Sequence, residues 1–308
     1  DEIQVQMTYC QMESEEIKRF TEDFTIEKLK KWFEDLLGAY YKWAKFQYDR
    51  RILRRNSMEG LEFPYPYRQG QRELVTGVYH TITTGRQLFI QAPTGIGKTM
   101  AAVFPAVRAV GQGYGDKIFY LTAKTITRTV AQEAFALLKE MGLSYKTLTI
   151  TAKEKLCCLE EPDCNPEKCP YAKGHFDRVN EAVFELLTER DTYFREDLLA
   201  QAEKHQVCPY EMCLDTADWV DAVICDYNYV FDPKVHLKRF FGDGVKGDYI
   251  FLIDEAHNLV DRGRKMYSAT LSKEAILETA RAVKGHSVKL YRILNRCNKL
   301  MLEYKREC

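Results

Sequence analysis

The chain reads as an α/β protein built on a mostly parallel sheet. Short, nearly continuous apolar runs recur at KIFYLTA (117–123), TLTITA (147–152), DAVICDY (221–227) and DYIFLID (248–254). Stretches of helical periodicity separate them, as crossover connections between parallel strands require. A further run, RQLFIQA (86–92), leads into a glycine-rich loop and then an apolar helix, the order in which phosphate-binding loops occur.

Taken in order, IQVQMTY (3–9) alternates well enough to be one strand. From Thr25, a plausible N-cap, Ile26, Leu29, Phe33, Leu36, Tyr40 and Trp43 recur at helical spacing. RRILRR (50–55) reads as a basic turn or helix end whose arginines form a solvated face. FPYPYRQGQ (63–71) is rigid and aromatic, and Leu74, Val75, Val78 and Tyr79 then mark a helix. After the glycine-rich loop, MAAVFPAVRAV is apolar nearly all round, with Gly111 as its stop. The segment from 157 to about 210 interrupts the alternation and reads as an insertion, cysteine-rich at first and then helical through Val179, Val183 and Leu187. Beyond 270 the pattern is helical to the end, with no repeats or low-complexity tracts.

At 308 residues, 45% of them hydrophobic, the chain can bury a large core and divide into two or three units. Its 45 basic and 45 acidic residues cancel, so a nucleic-acid surface would have to be local. No apolar run approaches a membrane span and no secretory signal pattern opens the chain, so a cytoplasmic location and no membrane partner are expected. It begins at DEIQ without a methionine and stops at KREC inside a helical pattern, as a piece of a longer protein would. Ten cysteines in a large, cytosolic, nucleotide-binding chain point to metal or catalysis rather than disulfides.

APTGIGKT, Ala92 to Thr99, fits the phosphate-loop pattern with alanine in place of the first glycine. Gly95 and Gly97 let the backbone curl so that successive N–H groups converge on phosphate oxygens. Lys98 reaches the β- and γ-phosphates of ATP, and the Thr99 hydroxyl ligates Mg²⁺. The complementary acid stands at the end of DYIFLIDEAH. Asp254 would hold Mg²⁺ through water, and Glu255 would orient or deprotonate the attacking water.

Four thiols, Cys157, Cys164, Cys169 and Cys208, lie between these motifs with gaps of 6, 4 and 38 residues. Structural zinc sites favour two short cysteine knuckles, and only the 164/169 gap comes near unless Cys208 and Cys213 form a second. Four thiolates on a loop-rich insertion suit a [4Fe-4S] cube equally well. Cys158 is an alternative to Cys157; Cys213 and Cys225 read as small apolar residues.

APTGIGKT together with DEAH resembles the superfamily 2 helicases. YLTAKTITRTVAQEA (120–134) is similar to their motif Ia, which lies against the nucleic-acid backbone, and YRQGQ (67–71) sits where they carry an adenine-reading glutamine, here Gln71. KEKLC, ending on Cys157, CPYE, beginning at Cys208, and CDYNYVFDP (225–233) resemble the XPD/DinG group of iron–sulfur helicases over roughly residues 61–275.

The resemblance implies a RecA-like P-loop motor domain (61–156 and 209–272) and an iron–sulfur domain inserted at 157–208 whose [4Fe-4S] cluster Cys157, Cys164, Cys169 and Cys208 hold. It also implies the start of a helical arch domain at 273–308, whose 281–306 stretch carries eight Lys or Arg and one Glu. The implied activity is ATP-dependent 5′→3′ unwinding at single-stranded DNA or DNA junctions, in DNA repair, with the cluster domain as a wedge. Residues 1–60 resemble the tail of the RecB-like nuclease domain that precedes the helicase in some bacterial relatives, without a nuclease constellation. SATLS (268–272) follows DEAH too closely to be the coupling motif SAT. A second motor domain, with its arginine finger, is missing from the chain, so weak ATP binding, slow hydrolysis and no unwinding are expected. The competing readings are a zinc-bearing ATP-dependent translocase and a DNA-binding module whose nucleotide loop regulates affinity.

Overall fold

The computed structural model describes residues 2–93, 95–123 and 125–307. Thr94 of the glycine-rich loop and Lys124 of the 120–134 stretch lie outside the described residues. The chain divides into two units: one runs to Asp226 and resumes over Gly244–Glu255, and the other comprises Tyr227–Asp243 and Ala256 onward.

The first unit opens with an antiparallel hairpin of β1 (Glu2–Cys10) and β2 (Ile17–Thr25), where the sequence suggested one strand. Ile3, Val5, Met7 and Tyr9 share one face with Phe20 and Phe24, because Ile3 pairs with Phe24 and Met7 with Phe20. Thr25 caps α1 (Ile26–Met58) as expected, its Oγ1 accepting from Lys28 N at 3.2 Å.

Helix α1 runs on for 33 residues through RRILRR, which forms its basic end rather than a turn; Arg51 and Arg55 are exposed as expected, but Arg50 and Arg54 are not, which corrects the solvated face there. Arg54 Nη1 donates to Asp221 Oδ1 at 2.8 Å and Arg50 Nη2 to Asp221 Oδ2 at 3.3 Å. Asp221 Oδ2 also accepts from Lys146 N at 2.6 Å. Further along the helix Trp43 packs on Trp219 (centroids 4.2 Å apart) and edge-on to Phe184 (5.0 Å), while Met58 lies against Gly111. A Cβ at position 111 would stand 2.4 Å from Met58 Sδ, so glycine here permits the crossing.

Next come α2 (Gln71–Thr83) and α3 (Lys98–Gly111). The sheet is parallel in the order β5–β4–β6–β3–β7, formed by β3 (Lys117–Leu121), β4 (Thr147–Thr149), β5 (Thr192–Tyr193), β6 (Ala222–Cys225) and β7 (Tyr249–Ile253). Four strands fall within their sequence-predicted runs; β5, two residues long, carried too little pattern to be seen. One face of the sheet, through Ile118, Tyr120, Ile224, Ile250 and Leu252, packs on Val103, Val107 and Val110 of α3 and on Ala131, Phe135 and Leu138 of α4 (Thr125–Glu140). RQLFIQA pairs with no strand among the described residues, which corrects the expectation of a strand there; Phe89 is 89% exposed. Its apolar composition was read correctly, but a strand also needs a neighbour.

The cysteine-bearing segment follows α5 (Lys153–Leu156), and α6 (His175–Glu189), α7 (Arg195–His205) and α8 (Pro209–Trp219) then pack on one another through Val179, Val183, Leu186, Leu198, Ala202 and Met212. These helices belong to the same compact unit as the sheet. The second unit holds α9 (Asn228–Phe231), α10 (Lys238–Phe241), a 3₁₀ turn (Ala256–Asn258), α11 (Leu259–Met266), α12 (Lys273–Val283) and α13 (Val288–Glu307). Ser272, last of SATLS, caps α12 by accepting from Ala275 N at 3.0 Å. Among the described residues no helix is long and apolar enough to cross a membrane.

Asp221 is the rivet between α1 and the sheet, and its side chain is 11% exposed. Removing it leaves two poorly solvated guanidinium groups without their carboxylate. Asp221→Ala should cost about 3 kcal/mol of folding stability, read as a lower urea midpoint in tryptophan fluorescence; an unchanged midpoint would show that the ion pairs contribute nothing.

Candidate nucleotide site and cysteine segment

The glycine-rich loop turns where two glycines adopt the left-handed region, Gly95 at φ +85° and Gly97 at φ +79°. Gly97 precedes α3, so Lys98 and Thr99 form that helix's first turn, both half-buried. Lys98 Nζ donates back to Ala92 O at 2.9 Å. The loop is braced from α2. Gln71 is 3% exposed and uses both ends of its amide within the chain: Oε1 accepts from Arg68 N at 3.1 Å, and Nε2 donates to Ile96 O at 2.8 Å. Arg68 Nη1 also donates to Gly95 O. A Cβ on residue 97 would sit 2.7 Å from Gln71 Nε2, so the close approach needs glycine as much as the backbone angle does.

Asp254 and Glu255 leave the end of β7. Asp254 N donates to Leu121 O at 3.0 Å, extending the ladder one residue beyond the strand. Glu255 is exposed, with φ +50°, a left-handed conformation uncommon for a residue with a side chain. Burial, then the charge of Glu255, raises the Asp254 carboxyl above its ordinary range; the Glu255 N–H, the Lys98 ammonium and the Tyr120 hydroxyl pull it back. Lys98, 156 positions earlier in the chain, therefore lies within electrostatic reach of Asp254. The structure thus gathers Gly95, Gly97, Lys98 and Thr99 in one loop and helix start, with Asp254 in electrostatic contact through Lys98. Gln71 lies beneath the loop.

The candidate cysteines sit on different supports. Cys157 is the C-cap of α5, Cys164 is exposed in the following loop, Cys169 is buried in a turn, and Cys208 is the N-cap of α8 ahead of Pro209. All four thiols are free, as is Cys158. Lys153 hydrogen-bonds Cys164, which raises the lysine, and feels the charge of Cys208 as well. Burial raises Cys208; the backbone N–H groups of Glu211 and Tyr210 oppose this, and the charge of Cys169 adds to it. Burial also raises Cys158, followed by the charge of Cys157, with a further contribution from Cys169. The segment is therefore one electrostatic neighbourhood. Among the described residues no three His, Cys, Asp or Glu side chains converge closely enough to hold a single metal ion. Cys213 and Cys225 are fully buried, as expected of small apolar residues.

Sequence reasoning missed three contributors: Arg68 on the loop, Lys153 beside Cys164, and His175, whose Nδ1 accepts from Cys208 N at 3.2 Å. Lys153 stands four residues before Cys157, on the same short helix, a spacing that could have flagged it. A lone histidine carries no such signal.

The mostly parallel sheet, with a glycine-rich loop opening α3 and a paired acid at the tip of β7, makes this a RecA-like α/β fold. The comparisons narrow this. The model for DEAD_2 matches residues 131–276, and that for the DEAD/DEAH box helicase matches residues 70–163. The chain is 25% identical over 264 residues to the general transcription and DNA repair factor IIH helicase subunit XPD/RAD3 of Saccharomyces cerevisiae, covering 71% of this chain and 32% of that protein. It is 22% identical over 263 residues to the regulator of telomere elongation helicase 1 homolog of Caenorhabditis briggsae, covering 72% and 26%. A solved structure described as truncated XPD shares the fold with a TM-score of 0.52 at 20% identity, over 75% of this chain and 65% of that one. These matches support similarity to XPD/RAD3/RTEL1-like superfamily 2 helicases of the DEAD_2 type. The chain spans about a third or less of the length of these two curated relatives.

The raised Asp254 carboxyl means that the folded chain holds that proton more tightly than the unfolded chain does. Stability without added nucleotide or metal should therefore fall as pH rises through and above the ordinary carboxylate value of 3.8. Asp254→Asn should melt above the parent chain at pH 7, the gap closing as pH falls toward that value. Equal melting at pH 7 would contradict the assignment of the strain to this carboxylate.

Proposed function

We propose that the chain carries the first motor domain of an ATP-dependent 5′→3′ DNA helicase of the iron–sulfur group, acting on single-stranded DNA or DNA junctions. The observation that carries the reading is that Lys98, in the first turn after the glycine-rich loop, acts electrostatically on Asp254 at the end of β7. N–H groups of the loop and of the first turn of α3 would bind the β- and γ-phosphates, with Lys98 leaving Ala92 O for them. Thr99 and Asp254 would hold Mg²⁺, which when bound neutralises phosphate charge. Glu255, exposed at the strand tip, would orient the attacking water. Gln71 would hold the loop in shape; to read an adenine its amide would have to leave Arg68 N or Ile96 O.

Cys157, Cys164, Cys169 and Cys208 would hold a [4Fe-4S] cluster. The donor chemistry fits: four unpaired thiols share one neighbourhood, with a lysine ammonium alongside and a buried, unpartnered imidazole N–H at its edge. A four-iron cube also spaces its thiolates more widely than one ion at about 2.3 Å from each sulfur does. When bound, such a cluster supplies rigid cross-links to a segment poor in apolar residues, which would make it a wedge against duplex DNA. Residues 1–60 would be the tail of a RecB-like unit, which would cover the exposed Ile3, Met7, Tyr9 and Phe20 of the hairpin. Lys289, Arg292, Arg296 and Lys299 of α13 support reading 273–308 as the start of an arch that follows the strand.

Titration with a fluorescent ATP analogue tests the first part. Gly97→Ala and Lys98→Ala should bind at least tenfold more weakly, while Glu255→Gln binds as the parent does and loses hydrolysis. Equal binding by all three would remove the nucleotide site. Metal analysis after anaerobic purification tests the second part: about four iron and four sulfide per chain are expected. One zinc without sulfide would replace the cluster reading with that of a zinc-bearing translocase.

A further inference from the structure

His175 lies between two of the cysteine-bearing segments. The turn at Cys169 leads into it: Ala172 N and Lys173 N donate to Cys169 O at 3.1 Å, and His175 N donates to Ala172 O at 3.3 Å. On the other side, the backbone N–H of Cys208 donates to His175 Nδ1 at 3.2 Å. The residue is 3% exposed. An imidazole whose Nδ1 accepts a hydrogen bond and whose ring is neutral carries its proton on Nε2. That Nε2 is buried and meets no acceptor among the described residues.

Buried donors are almost always satisfied, and an exception calls for an explanation. A histidine that served only to hold the Cys208 backbone would need Nδ1 alone, and its far nitrogen could face water. Asp215 and Glu211 of α8 and Arg178 of α6 are the charged groups that act on the ring, yet neither carboxylate accepts from Nε2. The missing partner is therefore an acceptor that the described residues do not supply. Between Cys169 and Cys208, the acceptor consistent with four thiol donors is sulfur carrying negative charge, the bridging sulfide of a cluster.

We propose that His175 is a positioning residue for the cluster: Nδ1 fixes the backbone at Cys208, and Nε2–H donates to a cluster sulfur. This rests on the iron–sulfur reading above. Hydrogen bonds to sulfur are among the factors that set a cluster's reduction potential, since they stabilise the more negative, reduced state. Removing the donor should make the potential more negative without removing a ligand.

The test uses the whole chain, purified without oxygen, as parent, His175→Phe and His175→Gln. Phenylalanine fills the space with no donor, and glutamine restores an N–H. Iron and sulfide content, melting temperature and an EPR-monitored redox titration are measured for each. The expected result is parental iron and sulfide content in all three, a midpoint more negative in His175→Phe, and His175→Gln between the two. A parental midpoint in His175→Phe overturns the proposal. So does loss of iron with an altered EPR signal, which would make His175 a ligand. Should His175→Phe fail to fold or load, His175→Leu takes its place as the variant without a donor: a negative shift supports the hydrogen bond, and the parental midpoint overturns it. Absence of sulfide from the parent chain would instead overturn the cluster reading itself, and this proposal with it.

Discussion

The double pairing of β3 is the constraint on which the rest of this structure depends. Its backbone is shared between β6 on one side and β7 on the other, in registers that set Leu121 level with Cys225 and with Ile253. Three strand ends therefore finish together. From them leave the 122–134 stretch, Asp226 and the Asp254–Glu255 pair. The ladder continues past the strands, with Thr122 N donating to Cys225 O at 3.0 Å and Asp254 N to Leu121 O at 3.0 Å. Because Ile118, Phe119 and Leu121 are fully buried, slipping this register would carry apolar groups out of the core as well as misplace the acids.

Around that sheet, charge does structural work that composition alone concealed. Net neutrality is consistent with ion pairs, and several of the internal ones gather at one edge, where Asp221 binds Arg50 and Arg54 and Asp191 binds Lys146. This ties α1 to the sheet along its second half. The first half exposes Trp32, Phe33, Leu36, Leu37, Tyr40 and Tyr41 and has, among the described residues, only the single pairs Lys28–Glu22 and Lys42–Glu181. The cysteine segment is the opposite case. It has few apolar side chains to bury and is fastened at its ends, by α5 and by the His175–Cys208 contact. In the proposed reading, a segment built this way would gain more from inorganic cross-links than from packing.

Much of the candidate nucleotide site was legible in the residues because the proposed chemistry fixes both type and spacing. A lysine must follow glycine at a helix start, and an acid must end a buried strand, so APTGIGKT and LIDE could be placed before any coordinates were known. The strands buried on both faces were legible for the same reason. What escaped depended on partners distant in sequence. RQLFIQA has strand composition but no neighbour among the described residues, and β2, IKRFTEDFT, interleaves its phenylalanines with charges and is recognisable only opposite β1. RRILRR read as solvated because its carboxylate, Asp221, comes 167 positions after Arg54. Gln71 was expected to face a base, and no sequence rule reveals that both ends of its amide are engaged beneath the loop.

The central claim is that the glycine-rich loop and the tip of β7 form one triphosphate site. Amide hydrogen exchange with and without Mg–ATP measures it directly. Binding should slow exchange in both places at once, over 95–99 at the loop and over 252–255 at the strand tip. Protection of the loop alone, or of neither segment at saturating nucleotide, would contradict a shared site.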